Sequence, residues 1–269
     1  MSAPEYILKS NREEVRRLRA QAEALAAEAA VMLERIGIGA GWRCAELGCG
    51  AGGIMDLLSR RVGPAGKVVG VDLEAGNLAA ARLWADDLGL ANIEFVQADI
   101  IDSGLPAADF DFVHVRFVLT TVGRHHDVVA AAAELLRPGG VLAIEEADGF
   151  GVDCFPQHPA FYRLREILFA IFHQVGDPDA GRKTFGLLRQ AGLVDLHFRP
   201  CQAGAVSTDD MANYLPETVR SVRPVLLEAG LIGDGELDEV LAACETHLAD
   251  PGTVSTHVGV FQTWGTKLS

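Results

Sequence analysis

Lys and Arg are scarce in this chain. They number 23 against 37 Asp and Glu in 269 residues, a formal charge of −14. Recognition of a nucleic-acid backbone needs clustered cations, so no DNA or RNA partner is expected. Tyr and Trp are also few, three of each, which leaves little material for stacking bases. No stretch approaches the roughly 18 uncharged apolar residues of a membrane-spanning helix. The N-terminus is charged from Glu5 onward and lacks an apolar signal core, so a cytoplasmic location is expected. The five cysteines, Cys44, Cys49, Cys154, Cys201 and Cys244, form no C-x-x-C pair and no Cys/His cluster with ligand spacing. Free thiols in a reducing compartment, and no bound metal, follow as expectations.

Apolar residues, by contrast, make up 49% of the chain. That suits one large α/β domain, or a domain with a lid. The most informative run is Glu46-Leu47-Gly48-Cys49-Gly50-Ala51-Gly52-Gly53. A short apolar lead-in precedes it, and Ile54, Leu57 and Leu58 follow at helical spacing. The pattern is strand, glycine-rich turn, helix, which binds nucleotide-like ligands at the helix N-terminus. Gly48, Gly50 and Gly53 fit a dinucleotide fingerprint. Gly48, Gly50 and Gly52, led by Glu46, fit instead the turn that holds S-adenosylmethionine (SAM). Both readings expect a ribose acceptor at the end of the next strand, and Val68-Val69-Gly70-Val71-Asp72 supplies one. Glu46 separates them. A carboxylate in the loop would repel a pyrophosphate but suits the ammonium and sulfonium of SAM.

Further along, Phe95-Val96-Gln97-Ala98-Asp99-Ile100 ends a strand in an acid. Phe110 to Arg116 reads as a fourth strand. Leu135-Leu136-Arg137-Pro138-Gly139-Gly140-Val141-Leu142 reads as a helix end, a turn and a fifth strand. In this order the motifs resemble the class I SAM-dependent methyltransferases, in particular the small-molecule branch related to the ubiquinone/menaquinone C-methyltransferases. The resemblance covers roughly residues 5 to 200 and again 255 to 268. It implies a Rossmann-like α/β fold with a doubly wound, seven-stranded, mostly parallel sheet. Residues 1–40 would form an N-terminal helical lid, 41–201 and 253–269 the SAM-binding core, and 202–252 a helical cap inserted before the last strand.

The resemblance also implies roles. Glu46, Gly48, Cys49, Gly50 and Gly52 would face the methionine part of SAM. Asp72 would take the ribose hydroxyls, Leu73 would pack beside the adenine, and Asp99 and the Ile100 amide would read its edge. Arg116 would orient the SAM carboxylate or the substrate. The histidine of the V-L-x-H pattern common in relatives is absent here, where the chain reads Val118-Leu119-Thr120-Thr121. His125 and His126 follow in an expected surface loop. Candidate bases are Glu146, with Glu145 beside it, His158 and His173, while Tyr6, Gln21 and Arg182 are candidate pocket residues. The expected activity is methyl transfer to a small, apolar or aromatic acceptor, with S-adenosylhomocysteine as product. The alternatives are a SAM enzyme with non-methylating chemistry and a NAD(P)-dependent oxidoreductase. Expected partners are the small acceptor and, at most, a second copy of the chain.

Local patterns give the remaining elements. Helices are expected within 11–36, at 53–62, 75–88, 126–137, 159–175 and 182–191, then at 208–214, 216–229 and 234–248. Strands are expected near 43–47, 67–72, 93–98, 110–116, 141–146, 194–199 and 256–264.

Overall fold

The computed structural model describes residues 12–209 and 211–268. Tyr6, a candidate pocket residue above, lies outside them. The chain opens with α1 (Arg12–Ala24) and α2 (Ala26–Ile36), separated at Leu25. It then alternates through β1 (Arg43–Leu47), α3 (Met55–Val62), β2 (Lys67–Asp72), α4 (Ala75–Asp87), β3 (Ile93–Gln97) and β4 (Phe110–Arg116). Next come α5 (Leu119–Val122), α6 (His125–Leu135), β5 (Leu136–Asp148), β6 (Asp153–Phe155), α7 (Pro159–Val175), α8 (Ala180–Gln190), β7 (Leu193–Cys201) and β8 (Gly204–Val206). The last elements are α9 (Tyr214–Ser221), α10 (Arg223–Glu228), α11 (Asp234–Leu248), β9 (Val254–Thr256) and β10 (Gly259–Lys267).

Seven strands form one sheet in the order β3-β2-β1-β4-β5-β10-β7. The pairs β1·β2, β1·β4, β2·β3 and β4·β5 are parallel. β1, β2 and β4 are almost wholly buried, as strands covered on both faces must be. β3 forms an edge and is only partly covered. This is the expected doubly wound, mostly parallel α/β sheet.

The chain divides into two compact units. The first comprises residues 1–146, 183–199 and 262–269 and contains the large sheet. Its core includes Met32, Leu33, Met55, Leu58, Phe112 and Trp264. The second comprises residues 147–182 and 200–261. There α7 packs against α9, α10 and α11, around Phe161, Leu164, Ile167, Val219, Leu237 and Leu241. A three-stranded antiparallel sheet, β6-β9-β8, belongs to the same unit.

Some local expectations are corrected. His125 and His126 open α6 rather than sit in a loop, and His125 Nε2 donates to the Leu119 carbonyl at 2.9 Å. The Pro-Gly-Gly turn lies inside β5. Phe110 pairs with Leu136 and Phe112 with Val141, so the residues between loop out of register. The single helix expected over 216–229 is two, because Pro224 lacks the amide needed to continue across Val222. No helix covers 208–214 among the described residues, where Asp209 accepts the Val206 amide at 2.9 Å and closes a turn.

Arg182, considered above for a pocket, is committed within the second unit to Asp148. The Asp148 side chain is fully buried. It accepts the amides of Phe150 and Arg182 at 2.9 and 2.8 Å, and the Arg182 guanidinium through Nε at 2.9 Å and Nη2 at 2.6 Å. Burial pushes its pKa up, but these donors outweigh that and hold it below the ordinary carboxylate value. A carboxylate lowered in the fold stabilises above its unfolded pKa, and that gain fades as pH falls through the folded value. Arg182→Met is therefore expected to cost about 1.5–3 kcal/mol at neutral pH. The partial exposure of the guanidinium favours the lower end. In urea titrations the gap between wild type and variant should close as pH drops below the ordinary carboxylate range. A gap that persists in acid would remove the charge from the explanation.

Candidate functional site

β1 ends at Leu47 and the chain turns through Gly48–Ile54 into α3. β2 and β3 lie on one side of β1, and β4 and β5 on the other. The glycine loop thus sits at the point where strand order reverses, the crevice in which open α/β sheets bind ligands. Gly48 adopts φ +76°, and a Cβ there would come within 2.5 Å of Val118 Cγ2. Conformation and space both require glycine. At Gly50 the nearest neighbour of such an atom would be Leu18 Cδ1 at 3.4 Å, which places α1 against the loop. Gln21, further along α1, is half-buried.

The carboxyl ends of the neighbouring strands supply the acids. Asp72 Oδ2 accepts the Gly50 amide at 2.8 Å, and Oδ1 accepts the Glu74 amide at 2.9 Å. Asp72 thereby ties the end of β2 to the glycine loop, with carboxylate lone pairs left for further donors. It is 9% exposed, whereas Leu73 beside it is 60% exposed, an apolar side chain standing open at the strand end. Just beyond β3, exposed Asp99 accepts the Ile101 amide through Oδ1 at 2.9 Å, with Ile100 half-buried between them. Buried Cys49 has its thiol pKa pushed well up, first by burial and then by Glu46 and Asp72, so it is no nucleophile.

Glu46 points inward. It is 1% exposed, and its two oxygens lie 3.2 and 3.1 Å from the Ile54 amide at the start of α3. Oε1 also lies 3.5 Å from His114 Nδ1. The parallel register puts Glu46 opposite His114 on β4, and Arg116 opposite Glu145 on β5. His114 Nε2 meets Glu145 Oε1 at 3.1 Å, and Glu145 Oε2 accepts Gln262 Nε2 at 2.8 Å. A row of buried polar groups therefore crosses the sheet just below the loop. His114 was not singled out from the sequence. Its signal was available: an ionisable residue inside a strand, Phe112-Val113-His114-Val115, that is otherwise apolar and buried. Arg116 is buried at the end of β4, and its Nη1 has no hydrogen-bond partner among the described residues. Glu145 Oε1 is 4.0 Å away, beyond a hydrogen bond.

Of the candidate bases, two cap helices and the third is exposed. Glu146 is fully buried and caps α5, accepting the Leu119 amide at 2.7 Å and the Thr120 hydroxyl at 2.5 Å. His158 is the N-cap of α7, taking the Ala160 amide on Nδ1 at 3.3 Å and stacking on His247. His173 is exposed in the last turn of α7, 3.6 Å from Asp179. At 1.5 Å rise per residue, His158 and His173 stand about 22 Å apart. α7 lines a small cavity of about 10 Å³, where Phe161, Leu168 and Phe169 meet Tyr214 and His257. That is room for one water.

A family model described as a methyltransferase domain matches residues 45–140. The match begins in β1 and takes in the glycine loop, Asp72, Asp99 and Arg116. Over that stretch the chain resembles this domain. It is similar to the ubiquinone/menaquinone biosynthesis C-methyltransferases: that of Pseudomonas savastanoi pv. phaseolicola is 36% identical over 115 residues, which is 42% of this chain and 45% of the relative. The chain thus spans less than half the length of the curated relatives it matches. The fold of the methyltransferase domain recurs in solved structures. A Haemonchus contortus phosphoethanolamine N-methyltransferase 2, in complex with phosphomonomethylethanolamine and S-adenosylhomocysteine, aligns at TM-score 0.55 and 17% identity over 93% of this chain and 53% of that one. Geranyl diphosphate C-methyltransferase from Streptomyces coelicolor aligns at TM-score 0.55 and 16% identity over 98% of this chain and 87% of that one. Among the described residues, no helix is long and apolar enough to cross a membrane.

Proposed function

We propose that this chain is a SAM-dependent methyltransferase acting on a small organic acceptor. The observation that carries the reading is Arg116 Nη1, which has no hydrogen-bond partner among the described residues, on a strand next to the glycine loop at the strand-order reversal. A buried guanidinium nitrogen without a partner suits a carboxylate, which the methionyl end of SAM presents. Asp72 has capacity for ribose hydroxyls, exposed Leu73 for the adenine face, and Asp99 with the Ile100 amide for the adenine edge. Glu46 serves one step removed, by holding the Ile54 amide that opens α3. SAM, when bound, supplies a methyl group on a positively charged sulfur. The chain's part is then to align the acceptor and keep water out. The residues weighed as bases are engaged in caps or exposed, so this reading rests on positioning and assigns no base.

For the acceptor, the names of the relatives favour a quinone-type or isoprenoid ring compound, and the apolar second unit is compatible with one. The segments expected above as lid and cap, 1–40 and 202–252, would serve acceptor choice, as elements added to a rigid scaffold commonly do.

Calorimetric titration with SAM, and separately with NADH, tests the cofactor. Micromolar SAM affinity, on the order of −8 kcal/mol, is expected, and no NADH binding. Formation of S-adenosylhomocysteine with a panel of quinols and phenols tests turnover. Asp72→Ala should weaken SAM by about 1.5–3 kcal/mol, since it removes a ribose acceptor and frees the Gly50 amide. A folded variant that binds SAM normally would remove Asp72 from the site.

A further inference from the structure

The buried row on the sheet poses a proton-counting problem. His114 is fully buried, with carboxylates on both ring nitrogens: Glu145 Oε1 lies 3.1 Å from Nε2, and Glu46 Oε1 lies 3.5 Å from Nδ1. A neutral imidazole carries one N–H, so one of its nitrogens would turn a lone pair toward a carboxylate oxygen. With both carboxylates ionised, only the imidazolium turns an N–H toward each; at Nδ1 the 3.5 Å contact is an ion pair, with no hydrogen-bond partner among the described residues. The charges then balance locally. Two carboxylates face one imidazolium, and the Arg116 guanidinium lies 4.0 Å from Glu145 on the side of the strand end. The remaining neighbours are the Ile54 amide on Glu46 and, from β10, Gln262 on Glu145. Gln262 Oε1 in turn accepts Arg199 Nη1 at 2.6 Å, and Arg199 pairs with Glu28 on α2.

We propose that His114 is a positioning residue for the cofactor loop: as an imidazolium it holds the Glu46 carboxylate on the Ile54 amide, and so fixes where the glycine loop enters α3. The inference rests on the SAM-binding reading for its effect on affinity, but the loop-holding role stands apart from any ligand. Burial opposes the charge on His114, yet its hydrogen bonds and charge interactions with Glu145 and Glu46 outweigh that and raise its pKa above the ordinary 6.5. The sign follows. The bridge is complete below that value and is lost as pH rises through the higher folded one.

The test uses the full chain labelled at histidine and at backbone nitrogen. A pH titration followed by NMR should show one imidazole that stays protonated above the range of the others. S-adenosylhomocysteine affinity should fall at least tenfold across the pH interval where that ring loses its proton. In His114→Gln the affinity should be at least tenfold weaker at pH 6 and flat with pH, and the Ile54 amide should exchange faster with solvent. Adding Glu46→Gln to His114→Gln, which removes the unanswered charge but keeps an acceptor for Ile54, should recover most of the loss. A ring that titrates at or below the ordinary value overturns the proposal, and this needs no variant. So does a His114→Gln protein with wild-type affinity, pH profile and Ile54 exchange. If the wild type binds no S-adenosylhomocysteine at any pH, the SAM reading fails instead, and Ile54 exchange alone still decides the role of His114.

Discussion

Gly53→Ala is expected to cost about 2–5 kcal/mol of stability and to abolish SAM binding at millimolar ligand. Gly53 adopts φ +49°. For an alanine that left-handed conformation costs about 1–2 kcal/mol. The larger part is steric. A Cβ at this position would overlap the carboxylate of Glu46, striking Oε1 and approaching Cδ at 2.6 Å and Oε2 at 2.8 Å. Glu46 is buried and cannot swing into solvent, so it must give up the Ile54 amide. An unanswered buried acceptor and donor add about 1–3 kcal/mol. Gly37→Ala is the control. Gly37 also has positive φ, at +79°, but nothing lies within 4 Å of its missing Cβ. It should show the backbone cost alone and leave SAM binding intact. Thermal melts and SAM titrations of both variants check this, and equal losses in the two would mean that the Glu46 contact is irrelevant.

Phe161→Ala is expected to cost about 3–5 kcal/mol, the scale of deleting a buried aromatic. Phe161 is fully buried in the second unit and sits in its main apolar cluster with Leu164, Ile167 and Val219. The residues proposed to hold SAM all belong to the first unit. The variant should therefore melt earlier and lose methyl transfer, while SAM affinity below the melting range stays within about twofold. SAM binding that declines in step with the melting temperature would show that the two activities cannot be separated along this division. Phe169 offers the contrast. It is only partly buried and fills the space where a Cβ of Gly149 would stand. Its truncation should cost less stability for the same number of atoms removed.

The architecture was legible where the signal is local. The glycine spacing from Gly48 to Gly53, the acids closing β2 and beyond β3, and the apolar runs of β1, β2 and β4 are properties of adjacent residues. They gave the strand, the glycine turn and the helix, while the strand-order reversal at the loop is a property of the sheet topology. The three-residue strands β6, β8 and β9 were not legible, because each is too short to show a period and pairs only at long range, Cys154 with Ser255 and Ala205 with the same Ser255. The direction of Glu46 was hidden for a related reason. As a motif residue it suggests a ligand contact, but its partners are an amide eight positions on and a histidine 68 positions on, brought together by strand register. Glu146 shows the same effect. A carboxylate at a strand end suggests a base, yet α5, a single turn that no periodicity reveals, supplies the amide and hydroxyl that occupy it.

The place of β10 in the sheet bears on how the chain is made. It lies between β5 and β7 but follows both in the chain, after α9, α10 and α11. Until β10 is made β5 has an open edge, and β7, finished some sixty residues earlier, has no strand to pair with. The nascent protein must carry that exposed edge through the synthesis of all of α9, α10 and α11, a template for pairing with other chains. Loss of Gly259–Lys267 would strip out an interior strand rather than trim an edge of the sheet. It would leave β7 detached and a five-stranded remnant with a raw border.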